Sequence, residues 1–216
     1  ADAIILRRVA YSESSFIITI FTREFGKIAL IAKGARKPKS PFSSVLEPMN
    51  IVHIDFLHKD ARHVQILKNV HLMEDLVGIR NHFENLQFGL TTVDILDKTT
   101  HENDPSTVHY RLCKSTLQIL NKRDNSSPLI FAFFLLQLSI RSGFMPQLNC
   151  CCNCSQPLSD AVIDIHSGEF SCLSCIPLGE IKISNATLNV LKLLTTTHIN
   201  ELDSIDFEID KLEELN

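Results

Sequence analysis

The chain has no tryptophan and only 7 glycines in 216 residues. So little glycine nearly excludes loops that cradle phosphates, and neither GxGxxG nor a GxxxxGK loop occurs. GxSxG and HExxH are missing too, which removes the common hydrolase and metalloprotease signatures. Long apolar runs are also missing. The longest, from Pro128 to Leu138, is interrupted by Gln137 and falls far short of the ~20 residues a membrane span needs. A signal-peptide layout is absent, because Arg7 and Arg8 follow the first apolar residues and no hydrophobic region comes after them. The expectation is a soluble cytoplasmic protein with no membrane contact. The 7 cysteines are an odd number, and Cys150, Cys151, Cys152 and Cys154 are crowded together, a poor layout for a disulfide framework.

What is present is a hydrophobic fraction of 44%, enough for a real core in one large or two small domains. Net charge is −4, but it is unevenly spread. Residues 1–80 hold 12 Lys/Arg against 8 Asp/Glu, a balance of +4; residues 81–216 hold 9 against 17, a balance of −8. Such asymmetry points to a basic module joined to an acidic one.

The first 70 residues read as strands: Ala3 to Val9, Phe16 to Phe21, Lys27 to Lys33, Ile51 to Leu57 and His63 to Val70. Gly26 is placed for a hairpin bulge between the second and third. Five short strands with tight connections predict a small OB-like barrel. Near residue 80 the spacing turns helical, with Phe83, Leu86, Leu90, Val93 and Leu96. Asp104-Pro105 and Ser127-Pro128 are start signals for two more helices. The second is apolar nearly all round and is expected to be buried and central, with Gly143 as its C′ residue. Ser184 is expected to cap a last helix through Leu194. From Glu201 the chain carries seven acidic residues and one lysine. The fold class predicted is α+β and multidomain: a five-stranded barrel over 1–79, a helical domain over 80–149 and 176–216, and a cysteine element inserted at 150–175.

Cys151-x-x-Cys154 and Cys172-x-x-Cys175, 17 residues apart, have the spacing of a structural zinc site. Two residues between cysteines let both thiolates face one ion, and two such pairs close a tetrahedral shell of four sulfurs. A closed shell has no position for substrate, so the site would be structural. Redox-active pairs or unrelated buried thiols are the alternatives, and Cys150 and Cys152 are rival ligands. The hydrophobic residues between the pairs, Ile163 to Phe170 around Ser167-Gly168, read as a hairpin. Cys113 reads as a core residue of a helix. The nine histidines have no ligand spacing, and His166 lies where the cysteines already fill the shell.

From Phe25 to Leu46 there is no acidic residue, while Lys27, Lys33, Arg36, Lys37 and Lys39 fall in the same window. An unopposed cationic loop on a barrel is what binding a phosphate backbone requires, although a solvated surface loop looks the same residue by residue. Phe25, Phe42 and Tyr11 are candidate platforms for stacked bases.

With these features in hand, the chain resembles the RecO family of bacterial recombination mediators in DNA repair. The resemblance rests on Ala3-Ile4-Ile5-Leu6, Tyr11-Ser12-Glu13-Ser14-Ser15, Phe21-Thr22-Arg23-Glu24-Phe25-Gly26, Ala32-Lys33-Gly34-Ala35-Arg36, Leu46-Glu47-Pro48, and Gly143-Phe144-Met145-Pro146-Gln147-Leu148 leading into Cys151. It covers most of the chain. It implies an N-terminal OB barrel, a helical domain and one structural zinc on Cys151, Cys154, Cys172 and Cys175. It implies binding of single- and double-stranded DNA and annealing of complementary strands. The implied partners are RecR and the acidic C-terminal tail of single-stranded DNA-binding protein, with RecA loading as the outcome, at the bacterial nucleoid. One departure is Ser155, where the family usually has Gly.

Three functions are weighed. The leading one is a DNA-binding mediator that is not an enzyme, with phosphate contacts from Lys33, Arg36, Lys37 and Lys39, extended by Arg7, Arg8 and Lys27. On the helices, Arg111, Lys114 and Arg141 are candidate cations for the acidic tail. The second is a zinc-containing protein–protein scaffold, which has no need of the acid-free window. A nucleic-acid enzyme is disfavoured, since no carboxylate cluster suits metal-ion catalysis. Asp203, Asp206 and Asp210 read as a solvated acidic face.

Overall fold

A computed structural model describes residues 1–42, 44–59, 61–122, 127–175 and 180–204. The contacts divide the chain into two compact units, residues 1–134 and 135–216.

The first unit opens with five strands: β1 (Asp2–Tyr11), β2 (Ser15–Thr22), β3 (Gly26–Ala32), β4 (Ile51–Leu57) and β5 (Val64–Glu74). They close into a barrel in the order β1-β2-β3-β5-β4, with β4 returning to β1. All pairs are antiparallel except β3 and β5, which run parallel with Ala29 opposite Val64 and Ile31 opposite Ile66. Strand alternation fills the interior: Ala3 and Ile5, Ile18 and Ile20, Ile28 and Leu30, Val52 and Ile54, and Leu67 form one core.

The opposite face of three strands is apolar too. Ile4, Phe21 and Ile51 are fully buried, lie across from one another in register, and point away from the barrel interior. Helix α2 (Phe83–Thr99) packs on β1 and covers that side. It follows the short α1 (Val77–Asn81) and precedes α3 (Thr107–Lys122). Strand gives way to helix between Glu74 and Val77, inside one compact unit.

Gly26 is the tightest point of this join. Its φ is +68°, and an added Cβ would lie 2.2 Å from the Asp104 carbonyl oxygen. The Asn103 N–H donates to the Lys27 carbonyl at 3.0 Å, so the segment between α2 and α3 lies against the second hairpin. Farther round, Glu74 at the end of β5 accepts from Lys114 Nζ at 2.9 Å and from Gln118 Nε2 at 2.7 Å, fixing α3 to the barrel.

The helix starts differ in detail from the sequence expectation. At α3 the cap is Ser106, whose Oγ accepts from the His109 N–H at 3.2 Å, two residues beyond Asp104. Asn103 takes a φ of +57°, so the chain is still turning there. Helix α4 (Ser127–Arg141) does begin at Ser127, whose hydroxyl bonds the buried Asn85 side chain.

The expected burial of α4 holds over most of its surface. Ile130, Phe133, Phe134 and Leu138 are buried, but Pro128 and Leu135 are exposed along one ridge. Gly143 is indeed the C′ residue: its φ is +93°, its N–H donates to Ile140 O at 3.1 Å, and the Phe144 N–H reaches Ser139 O at 2.9 Å. That pair of bonds is the Schellman closure.

The second unit holds a three-stranded sheet in the order β7-β6-β8, built from β6 (Ala161–Asp164), β7 (Phe170–Cys172) and β8 (Glu180–Ile183). The β6–β7 hairpin was expected; β8 was not. Helix α5 (Asn185–Thr196) follows, with Ser184 Oγ accepting from the Thr187 N–H as expected of a cap. Gln137 has a role here. It is buried, and its Nε2 donates to Leu194 O at 3.0 Å, satisfying a carbonyl in the last turn of α5. The acidic tail lies mostly outside the described residues, Asp206 and Asp210 included.

Two outcomes follow. Gly26→Ala meets both left-handed strain and a backbone clash, so it should cost roughly 2–5 kcal/mol in urea unfolding. Gly143→Ala meets strain alone, since nothing lies within 4 Å of the added Cβ, and should cost ~1–2 kcal/mol.

Acid should also loosen the first unit. The His53 hydrogen bond at 2.8 Å holds Asp2 below its ordinary value. At Glu74, burial pushes the carboxyl up, and the bonds from Lys114 and Gln118 outweigh it and bring it down. Folded values below unfolded ones give stability that is complete above the unfolded pKa, near 4, and lost as pH falls through the folded values. Unfolding midpoints should drop on acidification below about pH 4, and less so in Glu74→Gln.

Candidate metal centre and nucleic-acid interface

The two Cys-x-x-Cys pairs come from different local structures. The first is a tight turn in which the Cys151 N–H donates to Gln156 O at 2.8 Å and the Ser155 N–H to Cys151 O at 3.0 Å. Ser155 holds a left-handed φ of +59°, which explains why Gly suits that position. Serine costs ~1–2 kcal/mol there, and the turn is nonetheless kept. The second pair sits where β7 runs into a short 3-10 helix (Leu173–Cys175). The Cys152 N–H donates to Phe170 O at 3.0 Å and joins the two pieces.

The sulfurs of Cys151, Cys154, Cys172 and Cys175 all lie within 4.8 Å of one another. Cys154 and Cys172 are 3.7 Å apart. Four thiolates about 2.3 Å from a shared ion in a tetrahedron stand about 3.8 Å from each other, whereas a disulfide needs ~2.05 Å. All seven cysteines are free thiols. These four could therefore hold a metal ion.

Their ionisation has the same logic. Backbone N–H groups of Cys154 and Cys172 aim at the Cys151 sulfur and hold its pKa down to about 6. The neighbouring sulfurs of Cys154 and Cys172 push Cys175 up to about 12. One thiolate forms readily, and the next must form beside it. A cation at the centre removes that repulsion.

The rival ligands are placed elsewhere. Cys152 Sγ lies 3.2 Å from Ser171 Oγ, and Cys150 bridges to Pro157. Ser171, buried and also bonded by Asn153 Nδ2 at 3.1 Å, is a support the sequence did not single out. Cys113 is fully buried in α3, and burial pushes its thiol far up.

On the barrel, the acid-free segment leaves β3 as successive turns. Lys33, Lys37 and Lys39 are exposed and make no ion pair among the described residues. Gly34 and Lys39 take φ of +72° and +65°. Arg36 pins the segment: its N–H donates to Ser14 O at 2.9 Å and its guanidinium to Ser12 O at 2.6 Å. Phe16 lies beneath Arg8, whose guanidinium is 4.5 Å from the ring centre, and near Arg36 at 6.0 Å.

Other expected contacts are drawn into the protein. Lys27 is only 14% exposed, 3.3 Å from Asp97 Oδ1 and bonded to the Asp97 carbonyl, so it ties α2 to the barrel and has little reach for DNA. Arg8 pairs with Glu47 at 2.7 Å, and Arg7 stays exposed at 3.7 Å from Asp97. Phe42 is partly buried and packs against the barrel core. Tyr11 and Phe25 are exposed.

Of the helix cations, Arg111 is exposed on α3, Lys114 is committed to Glu74, and Arg141 donates to Gln137 Oε1 at 3.2 Å within α4. Arg141 belongs to the second unit and the other two to the first. Among the described residues, no helix is long and apolar enough to cross a membrane.

Residues 1–75 match the family model for the N-terminal part of recombination protein O, and residues 80–216 the model for its C-terminal part. The DNA repair protein RecO of Syntrophus aciditrophicus is 30% identical over 81% of this chain and 68% of its own length. That of Salinibacter ruber is 33% identical over 68% of the chain and 56% of its length. That of Bacillus pumilus is 26% identical over the whole chain and 84% of its length. A closed OB-like barrel followed by helices, a four-cysteine cluster, and both family models in sequence lead to one conclusion: the chain belongs to the RecO family of DNA repair proteins.

Proposed function

We propose that the chain is a non-catalytic mediator of recombinational repair that binds single- and double-stranded DNA through phosphate contacts and anneals complementary strands. The observation that carries this is the exposed segment after β3, with Lys33, Lys37 and Lys39 free of ion pairs among the described residues. Arg36 holds that segment to the β1–β2 turn and adds its own charge, and the exposed Arg7 of β1 is a further phosphate contact in this reading. The whole chain is negative, so binding comes from this local field. The barrel, residues 1–79 in this reading, carries the DNA, and the helices receive partners.

Among those partners we place RecR and the acidic tail of single-stranded DNA-binding protein, with RecA loading as the outcome. Arg111 is the cation best suited to the tail's carboxylates, because Lys114 and Arg141 already hold internal partners. The scaffold reading draws support from Phe144 and Met145, 72% and 66% exposed beside the first cysteine turn.

We assign the metal as one zinc ion, since four thiolates in a closed tetrahedral set are its characteristic structural shell. Residues 150–175 with the zinc form the inserted element.

Two measurements test these assignments. Triple alanine replacement of Lys33, Lys37 and Lys39 spares the pinning Arg36. It should flatten the slope of log K against log salt by roughly 2 on a single strand, at ~0.7 per phosphate contact. Stability should change by under about 0.5 kcal/mol per position. Wild-type affinity and slope in a folded triple variant would place the DNA surface elsewhere.

Metal analysis should find close to one zinc per chain. Site energies of roughly 10–16 kcal/mol in small zinc peptides mean that Cys172→Ser should lose the ion and unfold the β6–β7 hairpin, whereas Cys113→Ser should keep the ion. Zinc near zero in unchelated protein would overturn the assignment.

A further inference from the structure

The cationic segment follows β3 directly, and the other end of β3 carries a different chemistry. Phe25, just before β3, is 38% exposed. Its ring centre lies 5.3 Å from Phe56 in an edge-on contact and 5.6 Å from His58. Phe56 and His58 are 6.1 Å apart, so three rings from two strand ends form one cluster. Beside it opens a cleft of about 280 Å³ whose lining includes Phe25, His58, Arg62, Gln65, Asn103 and Pro105. Glu24 also borders the cleft, but Arg23 neutralises it at 2.9 Å.

The loop that brings His58 and Arg62 here is built to hold its shape. Gln65 is buried, and its amide acts as an internal brace. Its Oε1 accepts from the Lys59 N–H at 2.9 Å, and its Nε2 donates to Lys59 O at 2.9 Å and to Arg62 O at 2.7 Å. The Arg62 N–H closes back on Lys59 O at 3.0 Å. These bonds brace Lys59 and Arg62, and the neighbouring His58 and Arg62 side chains are exposed.

An exposed aromatic ring next to a guanidinium, on the rim of a closed barrel, suits one base stacked on the ring with its phosphate on the cation. A duplex cannot use it, because its bases are already stacked inside. The 7 residues of β3 separate this cleft from Lys33 by ~20 Å, a span of several nucleotides of single strand.

We propose that Phe25, His58 and Arg62 form a subsite for one unstacked base of single-stranded DNA, a contact that a duplex cannot make. The proposal rests on the DNA-binding reading above and adds where the strand is told apart from the duplex.

The absence of tryptophan makes a clean probe. Phe25→Trp introduces the sole indole. Its emission should be quenched by oligothymidylate and stay unchanged when a duplex of equal length binds. In anisotropy titrations, Phe25→Ala combined with His58→Ala should weaken oligothymidylate binding by roughly 5- to 150-fold. Duplex affinity and the salt slope should stay at wild type, since no phosphate contact is lost. Phe25→Tyr should retain binding. Equal losses on strand and duplex, no loss on either, or quenching by both would overturn the subsite. If the Lys33/Lys37/Lys39 variant weakens binding while the aromatic variants do not, the DNA reading stands and this inference alone fails.

Discussion

The parallel pairing of β3 with β5 is the constraint on which the first unit depends. It closes the barrel, and it cannot be reached by a tight turn. The chain leaving Ala32 must cross to β4 on the far side, beside β1, before it can return as β5. That obligatory crossing, residues 33–50, carries Lys33, Arg36, Lys37 and Lys39 of the acid-free window. Its backbone is held by internal bonds: Arg36 to the β1–β2 turn, Met49 N–H to Ile5 O at 2.8 Å, and Ile5 N–H to Asn50 O at 3.0 Å. Asn50 adds its side chain, donating to Val45 O at 2.8 Å. These bonds hold the segment in place, and the side chains of Lys33, Lys37 and Lys39 are exposed. Closure thus places two chemically different loops at the two ends of one strand, charge after β3 and rings before it.

What the sequence made legible was local. Five strands came through because alternation and β-branched residues are read within a few positions, and each expected strand overlaps the observed one. The two cysteine pairs were legible for the same reason, since a knuckle is defined by two intervening residues. Gly143 and Ser184 were likewise fixed by near neighbours.

The misses are long-range. Lys27 looked like a surface cation because Asp97, its partner, lies 70 residues away. Phe42 stands among basic residues, yet its partly buried ring packs against the barrel core. The cluster of Phe25, Phe56 and His58 needs the barrel closed before its members meet. Strand β8 alternates Glu180-Ile181-Lys182-Ile183 but is only four residues long, too short a run to read as a strand; it forms because β6 offers it an edge.

In the second unit the four sulfurs stand in for a core. Among the described residues its buried apolar cluster includes Leu148, Leu158, Phe170 and Leu188, with Cys151 a member and Cys172 packed against it. A metal ion held by the four cysteines would tie the first turn to β7 and add to what this packing supplies. Ser171 belongs to the same economy: one buried hydroxyl meets both Cys152 and Asn153, keeping the first turn in place against β7.

The contact between Gly26 and the Asp104 backbone has an evolutionary consequence. A barrel of this kind is often treated as a portable module, yet here Ile4, Phe21 and Ile51 present a second hydrophobic face that only the following helices cover. Drift in the segment from Asp97 to Asp104 is therefore tied to drift at Gly26 and Lys27. Grafting the barrel between family members would require carrying that distant segment along, so that the unit of inheritance is the barrel with its helical cover.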